Sequence, residues 1–210
     1  MNSTNNALSE YFKIIRQFIK CHAGEGDAVS ARQAVEAITP AAEQGDVKAQ
    51  MLLGRYYSWG YHNECDNQKA IHWFEKAADN GNAEAPMLIM EIYRKDCPDG
   101  IEAELRKVLI LKWHKRWLDL LATKADKGSV DAAKSLMNLY IEDCHEDANP
   151  KEGLETARKW YDRWIDILTT KAAMGNFVDK MNLANILLYA DGVPEVLLDC
   201  FSDEDDERSL

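Results

Sequence analysis

Long apolar runs are missing from this 210-residue chain. None approaches the roughly 18 residues needed to cross a bilayer, so no membrane-spanning helix is expected. Alternation of apolar and polar residues never lasts more than a few positions, which leaves little basis for β-strands. Prolines are few, five in all, so helices have few interior breaks to absorb. The five cysteines are odd in number and fit no disulfide framework. A secretory leader is not legible either: Leu8, Tyr11, Phe12, Ile15, Phe18 and Ile19 are interrupted by Glu10, Lys13 and Arg16. Together these absences point to a reducing cytoplasm. Positive charge is also scarce, with 25 Lys and Arg against 36 Asp and Glu and a net charge of −11. No basic stripe stands out, which argues against nucleic acid and leaves a cationic protein as the partner such a field would steer.

Catalytic motifs are absent in the same way. There is no Gly-rich phosphate loop, no His-Glu-x-x-His and no nucleophile elbow. His62-x-x-Cys65 with His72 comes nearest to a metal site, but a fourth ligand and any Cys-x-x-Cys pair are missing. A metal-dependent enzyme built on those three residues is the alternative to a binding role. Cys144 and His145 are adjacent and have no third group to complete a nucleophilic dyad. No cofactor is implied.

What the chain does have is repetition. Lys112-Trp113-His114-Lys115-Arg116-Trp117 returns as Lys159-Trp160-Tyr161-Asp162-Arg163-Trp164, an offset of 47 residues. Both copies run on into Ala-x-x-Gly, which also occurs at Ala42–Gly45 and Ala78–Gly81. Gly45, Gly81, Gly128 and Gly175 are spaced 36, 47 and 47 residues apart. Periods of this size signal a repeat array. Each glycine precedes a helix-capping residue: Asp46, Asn82, Ser129 or Asn176. A glycine able to end one helix with positive φ, followed at once by a residue able to start another, makes a tight αα-hairpin.

The helix after each turn carries apolar residues at shared offsets from its glycine. Four on come Ala49, Ala85 and Ala132; eight on, Leu53, Ile89, Leu136 and Leu183; twelve on, Tyr57, Tyr93, Tyr140 and Leu187. Steps of four keep these on one helical face. The spacing predicts helices near 28–44, 46–59, 67–80, 82–95, 101–127, 129–142, 151–174 and 176–190, with a kink or restart at Pro40. Residues 1–24 read as an amphipathic capping helix, 25–193 as the repeat array and 194–210 as an acidic tail around Asp203–Glu207. The two long units exceed the short one by 11 residues, close to three helical turns, so a packing face would stay in phase. Four of the six tryptophans fall in the paired Trp-x-x-x-Trp places and read as packing residues. Trp59, at a helix end, is the one expected to be exposed.

The short unit resembles a Sel1-like repeat, the tetratricopeptide-related α/α repeat. The residues that carry the likeness are Ala42, Gly45, Ala49, Leu53-Gly54, Tyr56-Tyr57, Gly60, Lys69-Ala70, Trp73 and Ala77-Ala78-x-x-Gly81. Gly54 becomes Met90, Met137 and Ala184 in the later units. The resemblance implies an all-α superhelical solenoid and a non-catalytic protein-binding role, such as a bacterial adaptor or an immunity protein that occludes a toxin. A membrane-associated scaffold using the first helix is a further alternative. In arrays of this kind the first helix of each pair lines the binding surface. The equivalent places here are Lys48, Met51, Arg55 and Trp59, then Glu84, Met87, Glu91 and Arg94, then Asp131, Lys134, Asn138 and Glu142, and last Met181 and Asn185.

Overall fold

The computed structural model describes residues 28–60, 65–95, 98, 100–143, 150–175 and 177–189. Among the described residues there are eight α-helices and no strand. They are α1 (Ala28–Glu43), α2 (Val47–Trp59), α3 (Asn67–Asp79), α4 (Ala85–Lys95), α5 (Ala103–Asp126), α6 (Val130–Asp143), α7 (Pro150–Ala173) and α8 (Phe177–Tyr189). Each lies within three residues of its expected place. The expected capping helix (1–24) and acidic tail (194–210) lie outside the described residues, as do His62, Cys144 and His145.

The chain divides within α5 into two compact units, residues 1–117 and 118–210. In the first, α2 packs against both α1 and α3, and α3 against α4. Its core gathers Val35 and Ile38 of α1, Leu53 and Tyr56 of α2 and Trp73 of α3. In the second, α7 packs against both α6 and α8. Leu136, Met137, Trp164, Ile167 and Leu168 are buried there. The repeat position eight residues past the glycine is filled by Leu53, Ile89 and Leu136, all buried to within 1%, and by half-buried Leu183. Fully burying such a side chain is worth about 1.5–3 kcal/mol.

The turns follow the predicted chemistry. Gly45, Gly81, Gly128 and Gly175 all have positive φ, between +86° and +95°. In the first three turns the same two bonds close the helix. The glycine N–H donates to a carbonyl three residues back (Ala42, Ala78, Ala125), and the next N–H donates to a carbonyl five back (Ala41, Ala77, Lys124). This double closure satisfies carbonyls that the helix end leaves open. The next helix then starts on a side-chain cap: Asp46 accepts from the N–H of Ala49 at 2.9 Å, Asn82 from Ala85 at 3.1 Å, and Ser129 from Ala132 at 3.3 Å. Asp66 caps α3 in the same way, accepting from Lys69 N–H at 3.0 Å, and pairs with the Lys69 ammonium at 2.8 Å. The hydrogen bonds from Lys69, first its side chain and then its backbone, hold the Asp66 carboxyl below its usual range. The same contact raises Lys69.

Two details depart from or sharpen the expected pattern. The helix does not restart at Pro40, because α1 runs through it to Glu43. Proline leaves the carbonyl four residues back, that of Glu36, without its helical donor. Glu36 is exposed, so water can serve that carbonyl and the helix tolerates the break. Gly54 in α2 faces α3, where a β-carbon would lie 2.4 Å from the Phe74 ring. Beside it, buried Gln50 donates to the Ala42 carbonyl at 2.8 Å and accepts from the Asn80 amide at 3.1 Å. That one amide ties the ends of α1 and α3 to α2.

Candidate protein-binding face

Helix α2 ends in Ser58-Trp59-Gly60, and Gly60, with φ of 63°, turns the chain away. Trp59 is therefore left on the surface at the helix end, 49% exposed. It borders a cleft of about 200 Å³ lined by Ser58, Trp59, Asn67, Phe74, Leu88, Glu91, Ile92 and Lys95. The lining comes from α2, α3 and α4 of the first unit. Its floor is apolar, supplied by Phe74, Leu88 and Ile92, and its rim carries charge of both signs.

One turn before Trp59, the Arg55 guanidinium lies 5.8 Å from the indole centroid. It also forms an ion pair with Glu84, just ahead of α4. Glu91 accepts from Lys95 at 2.5 Å, one turn along α4. These pairs are well exposed, so each contributes less than about 1 kcal/mol to the fold. Their side chains can thus exchange partners at little cost.

The sequence-derived face residues are not equivalent in the structure. Lys48, Arg94 and Glu84 are exposed, Met87 is partly so, and Arg55, Trp59 and Glu91 cluster as described. Met51 is buried at 7%, so it is not available as a contact residue. Phe74, Leu88 and Ile92 complete the cleft, and the offset rule did not select them. Their signal is three-dimensional, because Phe74 comes from the intervening helix.

Asn138 belongs to the second unit, where it is half-buried on α6. That unit has its own cleft of about 180 Å³, lined by Val130, Asp131, Lys134, Trp164, Leu168, Asn182 and Ile186. Asp131 and Lys134 are thus brought to a cleft, with the Lys134 ammonium 5.0 Å from the Trp164 ring centroid. The paired tryptophans are used differently in the two copies. Trp113 is buried and Trp117 half-buried, whereas Trp164 is buried and Trp160 half-buried. Near α3, Cys65 and His72 are both exposed.

Residues 47–82 match the family model of the Sel1 repeat, a stretch that holds most of the residues that carry the resemblance in sequence. No curated protein matches the chain. Among solved structures, the chain is similar to c5321, a protective antigen present in uropathogenic Escherichia coli strains and displaying an SLR fold. That match has 23% identity and a TM-score of 0.42, and covers 84% of this chain and 33% of the other. It is also similar to a Sel1 repeat protein from Oxalobacter formigenes, with 24% identity and a TM-score of 0.37, covering 71% of this chain and 96% of the other. The chain therefore spans about a third of the length of c5321. Among the described residues, no helix is long and apolar enough to cross a membrane.

Proposed function

We propose that the chain is a non-catalytic protein-binding module, acting in a bacterial cytoplasm as an adaptor or as an immunity protein that covers a toxin. Sel1 repeat proteins are generally protein-interaction modules. The observation that carries the reading here is Trp59, half exposed beside an apolar-floored cleft with Arg55, Glu84, Glu91 and Lys95 around it. Aromatic and arginine side chains bordering a pocket are the groups that dominate binding energy in protein interfaces. The weak ion pairs around them supply orientation and selectivity. The net charge of −11 favours a cationic partner.

The test is capture from the native host by the immobilised chain, beside a variant carrying Arg55→Glu and Glu91→Lys. The expected outcome is a discrete protein, identified by mass, that the variant no longer retains while its helical signal and melting temperature hold. Undiminished capture by the variant would remove this face from the reading. For the immunity role, the captured protein should arrest growth when made alone and fail to do so when this chain is co-expressed.

A further inference from the structure

The last described helix, α8, is apolar on two sides. Toward α7 it presents Asp179 and Ile186, both buried, with Leu183 half-buried. On the opposite side, Phe177, Met181 and Leu188 recur at helical spacing, with Val178 on the flank beside them and Met174 just ahead in the turn. All five are between 47% and 80% exposed. Lys180 is the only exposed charged residue from Phe177 to Tyr189 among the residues whose side chains are described. A helix apolar on both faces is ordinarily covered on both.

This surface is inherited from the repeat only in part: Met181 stands at the place of Met51 and Met87, and Phe177 at that of Val47 and Val130. Three residues past the glycine, the earlier helices carry Lys48, Glu84 and Asp131, whereas α8 carries Val178. Twelve past it, Tyr57, Tyr93 and Tyr140 are buried or half-buried, whereas Leu187 is 68% exposed. At the first of these positions the change from charged to apolar is confined to the last helix.

We propose that α8 is a homodimer contact, in which this face packs antiparallel against the same face of a second copy. Three observations select a second copy as the occupant. At 47–80% of full exposure, the five residues leave at most on the order of 700 Å² for a partner to bury, approaching the roughly 800 Å² per partner of a stable interface. The near-absence of charge removes what would otherwise repel another chain of net charge −11, and charge depletion marks the centre of such interfaces. The face is also self-complementary under a two-fold axis. A single antiparallel register sets Phe177 against the second copy's Leu188 and Met181 against its Ala184, where the small alanine leaves room for the methionine and allows close approach.

The test uses the full chain in analytical ultracentrifugation across a concentration series. The wild type should reach twice its 23.9 kDa mass, and Met181→Glu with Leu188→Glu should leave a monomer of unchanged helicity. Phe177→Lys and Leu188→Glu, each monomeric alone, should form a mixed dimer when combined. A wild type that stays monomeric at its highest soluble concentration overturns the proposal, and is the outcome expected if residues beyond Tyr189 or a different protein cover α8. A dimer that survives the Met181/Leu188 double variant also overturns it, by placing the contact elsewhere.

Discussion

Gly54 and Phe74 meet so closely that the glycine hydrogen occupies the space a methyl group would need: a β-carbon there would sit 2.4 Å from the aromatic ring. Phe74 is 1% exposed, so it can yield only by shifting toward the cleft whose floor it helps form. Gly54→Ala should therefore destabilise the first unit by about 1–3 kcal/mol, the usual cost of overpacking. In a Phe74→Leu background the same substitution should cost distinctly less. Urea unfolding of the four proteins of that double-mutant cycle measures the coupling. Additive effects would mean the two residues are not in contact.

The repeat glycines should respond differently. Nothing lies within 4 Å of a β-carbon added at Gly128, so only its φ of +86° penalises substitution. Gly128→Val is expected to cost about 1 kcal/mol or more, and Gly128→Asn clearly less, since asparagine tolerates the left-handed region. Thermal melts of the two variants give the order directly.

Asp66→Ala should cost about 1 kcal/mol near neutral pH through loss of the α3 cap. The Asp66 carboxyl is held below its usual value of 3.8 by bonds from Lys69. Its contribution is thus complete above the unfolded value and disappears as pH falls through the lower, folded one. The stability gap between wild type and Asp66→Ala should be widest above about pH 5 and close on acidification. A gap that is independent of pH down to the acid limit would show that the charge contributes nothing.

Gln50→Leu should destabilise by about 1–3 kcal/mol, because both the Ala42 carbonyl and the Asn80 amide lose a partner. Asn80→Ala should cost less, since Asn80 is exposed and Gln50 keeps its bond to Ala42. Equal losses for the two variants would contradict the part assigned to Gln50.

The helices could be read from the sequence because their ends are written locally. A glycine followed by Asp46, Asn82 or Ser129 encodes a stop and a start within one turn of chain, with no help from distant residues. The candidate face is less legible for the opposite reason. Equal offsets give Met51 and Met87 the same direction, yet Met51 is buried while Met87 stays partly open. Direction is a property of one helix, and cover is a property of its neighbours. Helix α2 is flanked by both α1 and α3, so more of its circumference is closed. The Arg55–Glu84 pair likewise spans 29 residues, and Phe74 meets Trp59, Leu88 and Ile92 of the cleft from 14 to 18 residues away, which no single-helix pattern encodes.

The extensive helix contacts in each unit join elements that follow one another along the chain. That arrangement sets a clock. A helix finds its mate across a short turn, so little chain must be searched and little loop entropy is lost before packing begins to compensate. Refolding from denaturant should accordingly run in microseconds to milliseconds, in the regime of other chains rich in local contacts.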